Sequence, residues 1–162
     1  HWGSEEYLWK REEEQVPYFS KKQLEVLRSD KQNNQWRILI SHAPPCGLPA
    51  EQTGLPEELH PPSGNFTETL NELAEELQLD LVLGAHNHMN LAVQKQNCHM
   101  VTVSAFTEMP FEFKLFEIDN EQLKMKTVTL ANEITFKTEY DYEKNFVQGR
   151  SKDRNLLINA KP

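Results

Sequence analysis

Asp80-Leu81-Val82-Leu83-Gly84-Ala85-His86-Asn87-His88 decides the fold of this chain. Its first half is a short apolar run, the mark of a buried strand. Gly84 ends the run, and His86 and His88 follow at once. Upstream, Trp36-Arg37-Ile38-Leu39-Ile40 repeats the pattern, an apolar run that stops at Ser41-His42. Between the two, Phe66, Leu70, Leu73 and Leu77 recur at spacings of four, three and four, which is one apolar stripe of a helix over 66–77. Asn65 and Glu68 read as the capping box of that helix. Strand, helix and strand in this order predict a βαβ unit with parallel, adjacent strands. Segments that follow parallel strands emerge on one edge of the sheet, where open α/β sheets carry their ligand sites. Both histidine segments fall on that edge.

Outward from this unit the pattern changes. Ser20-Lys21-Lys22-Gln23 is a further capping box, with Leu24 and Leu27 at helical spacing, and predicts a helix over 21–28. The stretch from Ala43 to Gly64 is a long loop rich in Pro and Gly, a length usually tied to function or disorder. Met100 to Phe106 is strand-like. Phe111 to Leu115 and Leu123 to Val128 alternate on either side of Asp119-Asn120, a hairpin signature, and Leu156-Leu157-Ile158 reads as a last strand. Phe106, Met109, Phe111 and Phe113 read as core. Residues 1–18 are acidic and mixed, with Glu12-Glu13-Glu14 at the centre and Trp2, Tyr7, Leu8 and Trp9 needing burial; Asp30 to Gln35 is a polar loop; Ile134, Phe136, Tyr140 and Tyr142 are candidate anchors of a polar tail.

The 162 residues are enough for one domain with a core, and 38% hydrophobic with 26% charged residues describes a polar-surfaced chain. A net charge of -8 disfavours nucleic acid polymers, since simple charge attraction would not hold a polyanion. No apolar run is long enough to span a membrane. Cys46 and Cys98 form no C-x-x-C pair and read as two reduced thiols, the expectation for a cytoplasmic protein. The sequon Asn65-Phe66-Thr67 is short enough to arise by chance.

Imidazole suits divalent first-row metals such as Mn, Fe, Ni and Zn. An H-x-H pair by itself is usually coincidence, and a single His after a strand is usually a loop or core residue. His42, His86 and His88 together, all at strand ends on one edge, make a partial metal site. Ser41 and Asn87 are candidates to support those ligands or touch a substrate. His60 reads as a solvated loop residue, His99 as structural, and Asn90, like Asn87, as an ordinary turn residue.

The joint pattern resembles the calcineurin-like metallophosphoesterases. That family carries five motifs in chain order: D-x-H, G-D-x-x-D, G-N-H-[DE], a single His after a strand, and G-H-x-H. Ile38-Leu39-Ile40-Ser41-His42-Ala43-Pro44-Pro45 is similar to the fourth, and Leu81-Val82-Leu83-Gly84-Ala85-His86-Asn87-His88 to the fifth. Phe19 to Leu24 resembles the helix opening that precedes the fourth. The resemblance implies an α/β fold, half of a four-layer αββα sandwich of mixed sheets with the metal site at the strand ends and the later hairpin in the second sheet. It implies that residues 1–162 are the C-terminal part of a single domain whose N-terminal half lies outside them. His42 and His86 would hold one divalent cation and His88 a second, with Mn, Fe, Zn or Ni all suited. The implied activity is hydrolysis of a phosphomonoester or phosphodiester, in a small molecule or a phosphoprotein, by a metal-activated water.

Two departures stand out. Ala85 occupies the place of the glycine directly before the first His of the last motif, with Gly84 one residue earlier. The first three motifs, which supply a bridging Asp, an Asn ligand and a catalytic His, are missing: Asp30, Asp80, Asp119, Asp141 and Asp153 are scattered with no D-x-H. A first residue other than Met fits a chain that starts downstream of them. This fragment alone is then expected to be inactive, with its catalytic residues in the missing half. The rival expectation is a non-catalytic scaffold or regulatory domain that keeps the fold. A third, an unrelated H-x-H protein such as a cupin-like oxygenase, needs many short strands before the motif, and the capped helices at Ser20 and Asn65 argue against it.

Overall fold

A computed structural model describes residues 16–29, 36–107, 109–135 and 147–160 of the chain. Ser20 opens the first helix, α1 (Lys21–Ser29), as the spacing predicts: the Gln23 side chain accepts from the Ser20 N–H at 2.9 Å, and the Ser20 hydroxyl accepts from the Gln23 N–H at 3.3 Å. α1 buries none of its own residues. It sits against the longest helix, α3 (Gly64–Glu76), through Phe19 stacked on Phe66 at 5.1 Å and an exposed Arg28–Glu76 ion pair. The pair contributes less than about 1 kcal/mol, so the aromatic stack carries more of the docking.

The βαβ unit is present. β1 (Ile38–Ile40) and β2 (Leu81–Gly84) are parallel neighbours in register Ile38 to Leu81, with α3 in the connection. The Asp80 carboxylate accepts from the Arg37 N–H and the Asp80 N–H donates to the Arg37 carbonyl, both at 2.9 Å, which fixes that register at the strand starts. The Arg37 guanidinium donates to the Leu77 carbonyl at 2.7 Å, satisfying a carbonyl at the end of α3. The start of α3 differs from expectation. Its N-cap is Ser63, whose hydroxyl accepts from the Phe66 N–H, and Asn65 is an exposed residue of the first turn. Both residues have N-cap chemistry; Phe66 decides between them, because burying its ring places the helix start two residues earlier.

The sheet has the order β1-β2-β4-β3, with β3 (Leu91–Lys95) and β4 (Cys98–Thr102) an antiparallel hairpin and β4 parallel to β2. The strand expected over 100–106 thus begins earlier and stops at Thr102, and His99 lies within it. β5 (Glu112–Ile118), β6 (Gln122–Thr129) and β7 (Asn155–Asn159) form a second, antiparallel sheet, with the expected hairpin and last strand. The long loop is ordered: it carries α2 (Ala50–Thr53), buries Cys46 and Leu48, and pairs Leu48 with Leu59. A final short helix, α4 (Ser151–Arg154), precedes β7.

Residues alternate between two apolar clusters along the parallel strands. Val82 and Met100 pack with Phe66, Leu70 and Ala74 of α3, while Leu81 and Val101 pack with Leu123, Met125 and Ile158 of the second sheet. Each fully buried leucine contributes about 2 kcal/mol by the apolar area it removes from water. The described chain is therefore mixed α/β, with two sheets and four α-helices among the described residues. No helix among them is long and apolar enough to cross a membrane. The expectations for Trp2, Tyr7, Leu8, Trp9, Glu12 to Glu14, the 30–35 loop, Phe136, Tyr140 and Tyr142 lie outside the described residues.

Candidate metal centre

β1, β2 and β4 run parallel, so the chain leaves all three at one edge. Ser41-His42 leaves β1, Gly84 to His88 leaves β2, and Val103 to Phe106 leaves β4. The first two exits are tied by backbone hydrogen bonds: the Ser41 N–H donates to the Leu83 carbonyl at 2.9 Å and the Ala85 N–H to the His42 carbonyl at 3.2 Å. The Ser41 hydroxyl accepts from the Ala43 N–H at 3.1 Å and so shapes the turn that carries His42. Gly84 permits this close approach, since a Cβ there would lie 2.2 Å from Cδ of Pro45.

The Gly84–His88 segment turns instead of staying extended. His86 and His88 have φ of 68° and 52°, the left-handed region, and the Asn87 N–H donates to the Ala85 carbonyl at 2.8 Å. Two non-glycine residues in that region within three positions store local strain, of order 1 kcal/mol or more each, which the surrounding bonds must hold. One such bond is the Thr102 hydroxyl donating to the Met89 carbonyl at 2.7 Å.

Nε2 of His42 and Nδ1 of His86 lie 3.3 Å apart, with the rings edge to face and both side chains exposed. Two imidazole nitrogens on one tetrahedral metal, each about 2.0–2.1 Å from it, stand about 3.3–3.4 Å apart. The pair therefore fits a shared cation, and the donor atoms are of the type such cations take. A direct N–H···N bond is the other arrangement with this spacing. His88 is exposed and lines the same hollow, which has a volume of about 400 Å³. No group of three or more His, Cys, Asp or Glu among the described residues is gathered as a metal site. The structure thus brings His42 and His86 together and places His88 on the wall beside them. Asn87 is half-buried in the same turn. His60 is exposed in the long loop, and His99 is held in β4, where burial pushes its imidazole pKa down against the attraction of Asp80.

Asn90 is no ordinary turn residue. It is fully buried, and its amide donates to the Ser104 hydroxyl at 3.1 Å, to the Glu112 carboxylate at 2.5 Å and to the Gln148 carbonyl at 3.1 Å. Glu112 also accepts from Ser104 at 3.0 Å and from Arg154 at 2.6 and 3.0 Å. Gly149, at φ 71°, packs close to Asn90, where a Cβ would lie 2.5 Å from the Asn90 carbonyl oxygen. Asp153 is buried too: desolvation raises its pKa, but hydrogen bonds from the Arg150 side chain and from the Ala92 and Arg150 N–H groups outweigh this and hold it below the usual carboxylate range. This network seats the polypeptide just beyond the His86-His88 turn.

The far wall of the hollow comes from β5 and the end of β4. Glu112, Phe113, Lys114 and Phe116 line it, whereas Leu115 is 40% exposed. The alternation of this strand was legible, but its two faces are the reverse of what hydrophobicity suggests. Phe106, expected in the core, is 54% exposed at the rim of the hollow. No protein-family model and no curated protein matches the chain.

Proposed function

We propose that this chain carries part of the site of a metal-dependent phosphoesterase, with His42 and His86 on one divalent cation and His88 on a second. The observation that supports this most is the 3.3 Å spacing between Nε2 of His42 and Nδ1 of His86, which suits two ligands of one metal. The exits of three parallel strands at one sheet edge suit such a site, and they agree with the order of the fourth and fifth motifs of calcineurin-like metallophosphoesterases. In this reading the two sheets belong to the αββα sandwich of that family. The remaining ligands and the catalytic His come from outside these 162 residues, in keeping with the missing D-x-H, G-D-x-x-D and G-N-H motifs. Divalent cations bound there supply charge neutralisation for a phosphate ester and a water of lowered pKa. The residues of this chain hold the ligand geometry: Ser41 shapes the His42 turn, and Thr102 and Asn90 anchor the segment after His88.

A second reading, a scaffold domain without turnover, takes the 3.3 Å contact between His42 and His86 as a direct imidazole–imidazole hydrogen bond. One experiment separates the two. Metal content and hydrolysis of bis(4-nitrophenyl) phosphate are measured on the full-length product of the gene, wild type and His88→Ala. The phosphoesterase reading expects about two metals and turnover in the wild type, with turnover abolished in a folded His88→Ala variant. Normal turnover by His88→Ala sinks it.

A further inference from the structure

Phe106 is the large apolar side chain of the hollow that core packing does not explain. It follows β4, and the sheet order β1-β2-β4 puts the exit that carries His86 and His88 between that of His42 and that of Phe106. The backbone before the ring is pinned: the Ser104 N–H donates to the Asn90 side chain at 3.2 Å, and the Glu112 N–H donates to the Ala105 carbonyl at 3.4 Å. On this anchored segment Phe106 is nevertheless 54% exposed. It meets Phe113 edge to face with ring centroids 6.1 Å apart, and both rings line the hollow that His42, His86 and His88 also line. Val103, Ala105 and Phe116 add apolar wall. The charged side chains of the wall are engaged elsewhere. Glu112 bonds to Arg154 and Asn90, and Lys114 to the Thr127 hydroxyl and the Asp153 carbonyl, none of which lines the hollow. Beside the imidazoles, the hollow therefore offers a ligand mainly aromatic and aliphatic surface. Its volume of about 400 Å³ is that of a small-molecule site.

We propose that Phe106 and Phe113 form the subsite for an aromatic group of the phosphate ester, whose phosphate sits toward the histidines. The proposal rests on the phosphoesterase reading and narrows its substrate class to esters that carry a ring next to the phosphate. A ring laid on an exposed ring gains both buried apolar area and the offset or edge-on contact that aromatic pairs prefer. A polyol in the same place would give up hydrogen bonds to water without regaining them from this wall. Phe106 sets specificity and takes no part in the chemistry, since a phenyl ring neither ligates a metal nor moves a proton.

The test uses the full-length product of the gene and two probes that are not hydrolysed, phenylphosphonate and methylphosphonate, which differ only in the ring. Titration calorimetry is expected to find phenylphosphonate bound at least about tenfold more tightly by the wild type, the size of one added aromatic contact. In Phe106→Ala that preference should largely vanish, with methylphosphonate affinity and metal content unchanged, and Phe106→Tyr should restore it. Equal binding of the two probes by the wild type overturns the subsite, as does a preference that survives in Phe106→Ala or the binding of neither probe. A wild type that also lacks metal and turnover of bis(4-nitrophenyl) phosphate overturns the phosphoesterase reading with it, whereas one that keeps both loses only the subsite. Should Phe106→Ala fail to fold, Phe106→Leu takes its place under the same criteria.

Discussion

Nδ1 of His86 stands 3.3 Å from Nε2 of His42 although the two are 44 residues apart in the chain. Neither local sequence nor a shared element brings them together. They meet because β1 and β2 are parallel and adjacent, because backbone bonds join the two exits, and because Gly84 lets Pro45 cross over it.

The pair should therefore act as a unit toward metal. Zinc titration by calorimetry is expected to find a site that weakens at least about tenfold, or about 1.4 kcal/mol, in either His42→Ala or His86→Ala. The double variant should lose little beyond the first loss, since one remaining imidazole makes a poor site. Wild-type affinity in His42→Ala would mean that the contact is only an imidazole–imidazole hydrogen bond.

Ser63 and Asn65 offer a local contrast at the start of α3. The Ser63 hydroxyl accepts from the Phe66 N–H, while Asn65 is exposed inside the first turn. Ser63→Ala should cost about 1 kcal/mol in urea unfolding, and Asn65→Ala less than about half of that. The reverse order would restore Asn65 as the cap.

What could be read in advance follows from where the information lies. The Ser20–Gln23 box, the Phe66-Leu70-Leu73 stripe and the apolar runs of β1 and β2 are local patterns, each visible within a dozen residues, and each is found in the structure. The Leu91–Lys95 strand was not legible, because its Leu-Ala-Val-Gln-Lys run is short and gains its pairing only from β4. Nor were the faces of β5: Glu112 and Lys114 look like solvent residues until Asn90, Ser104 and Arg154 arrive from distant segments to satisfy them. At the site, the histidines announced themselves through strand ends, whereas the far wall of the hollow depended on the packing of a second sheet.

Glu112 is the member of the buried network with most to lose. It is 2% exposed and accepts from Asn90, Ser104 and Arg154. Glu112→Gln keeps the shape but removes the charge that Arg154 pairs with, and sets an amide donor against that of Asn90. A loss of about 3 kcal/mol is expected from urea unfolding, because the guanidinium is left without its partner. A loss under about 1 kcal/mol would show that water replaces the carboxylate and that the network is loosely held.

Lys114 gives the chain a stability that rises with alkali. Its folded pKa of about 8 lies below the unfolded 10.5, chiefly because burial penalises the charged form. Between those values the unfolded chain binds more protons than the folded one, so stability climbs with pH across that window and is flat on either side. The gain is on the order of 2 kcal/mol after allowance for partial exposure. The measurement is the difference between wild type and Lys114→Met, whose unfolding midpoints are compared at pH 7.5 and 10. The wild type should close on, or overtake, the variant as the pH rises. Parallel behaviour of the two proteins would mean that the ammonium sheds no proton on folding and that a counter-ion already sits beside it.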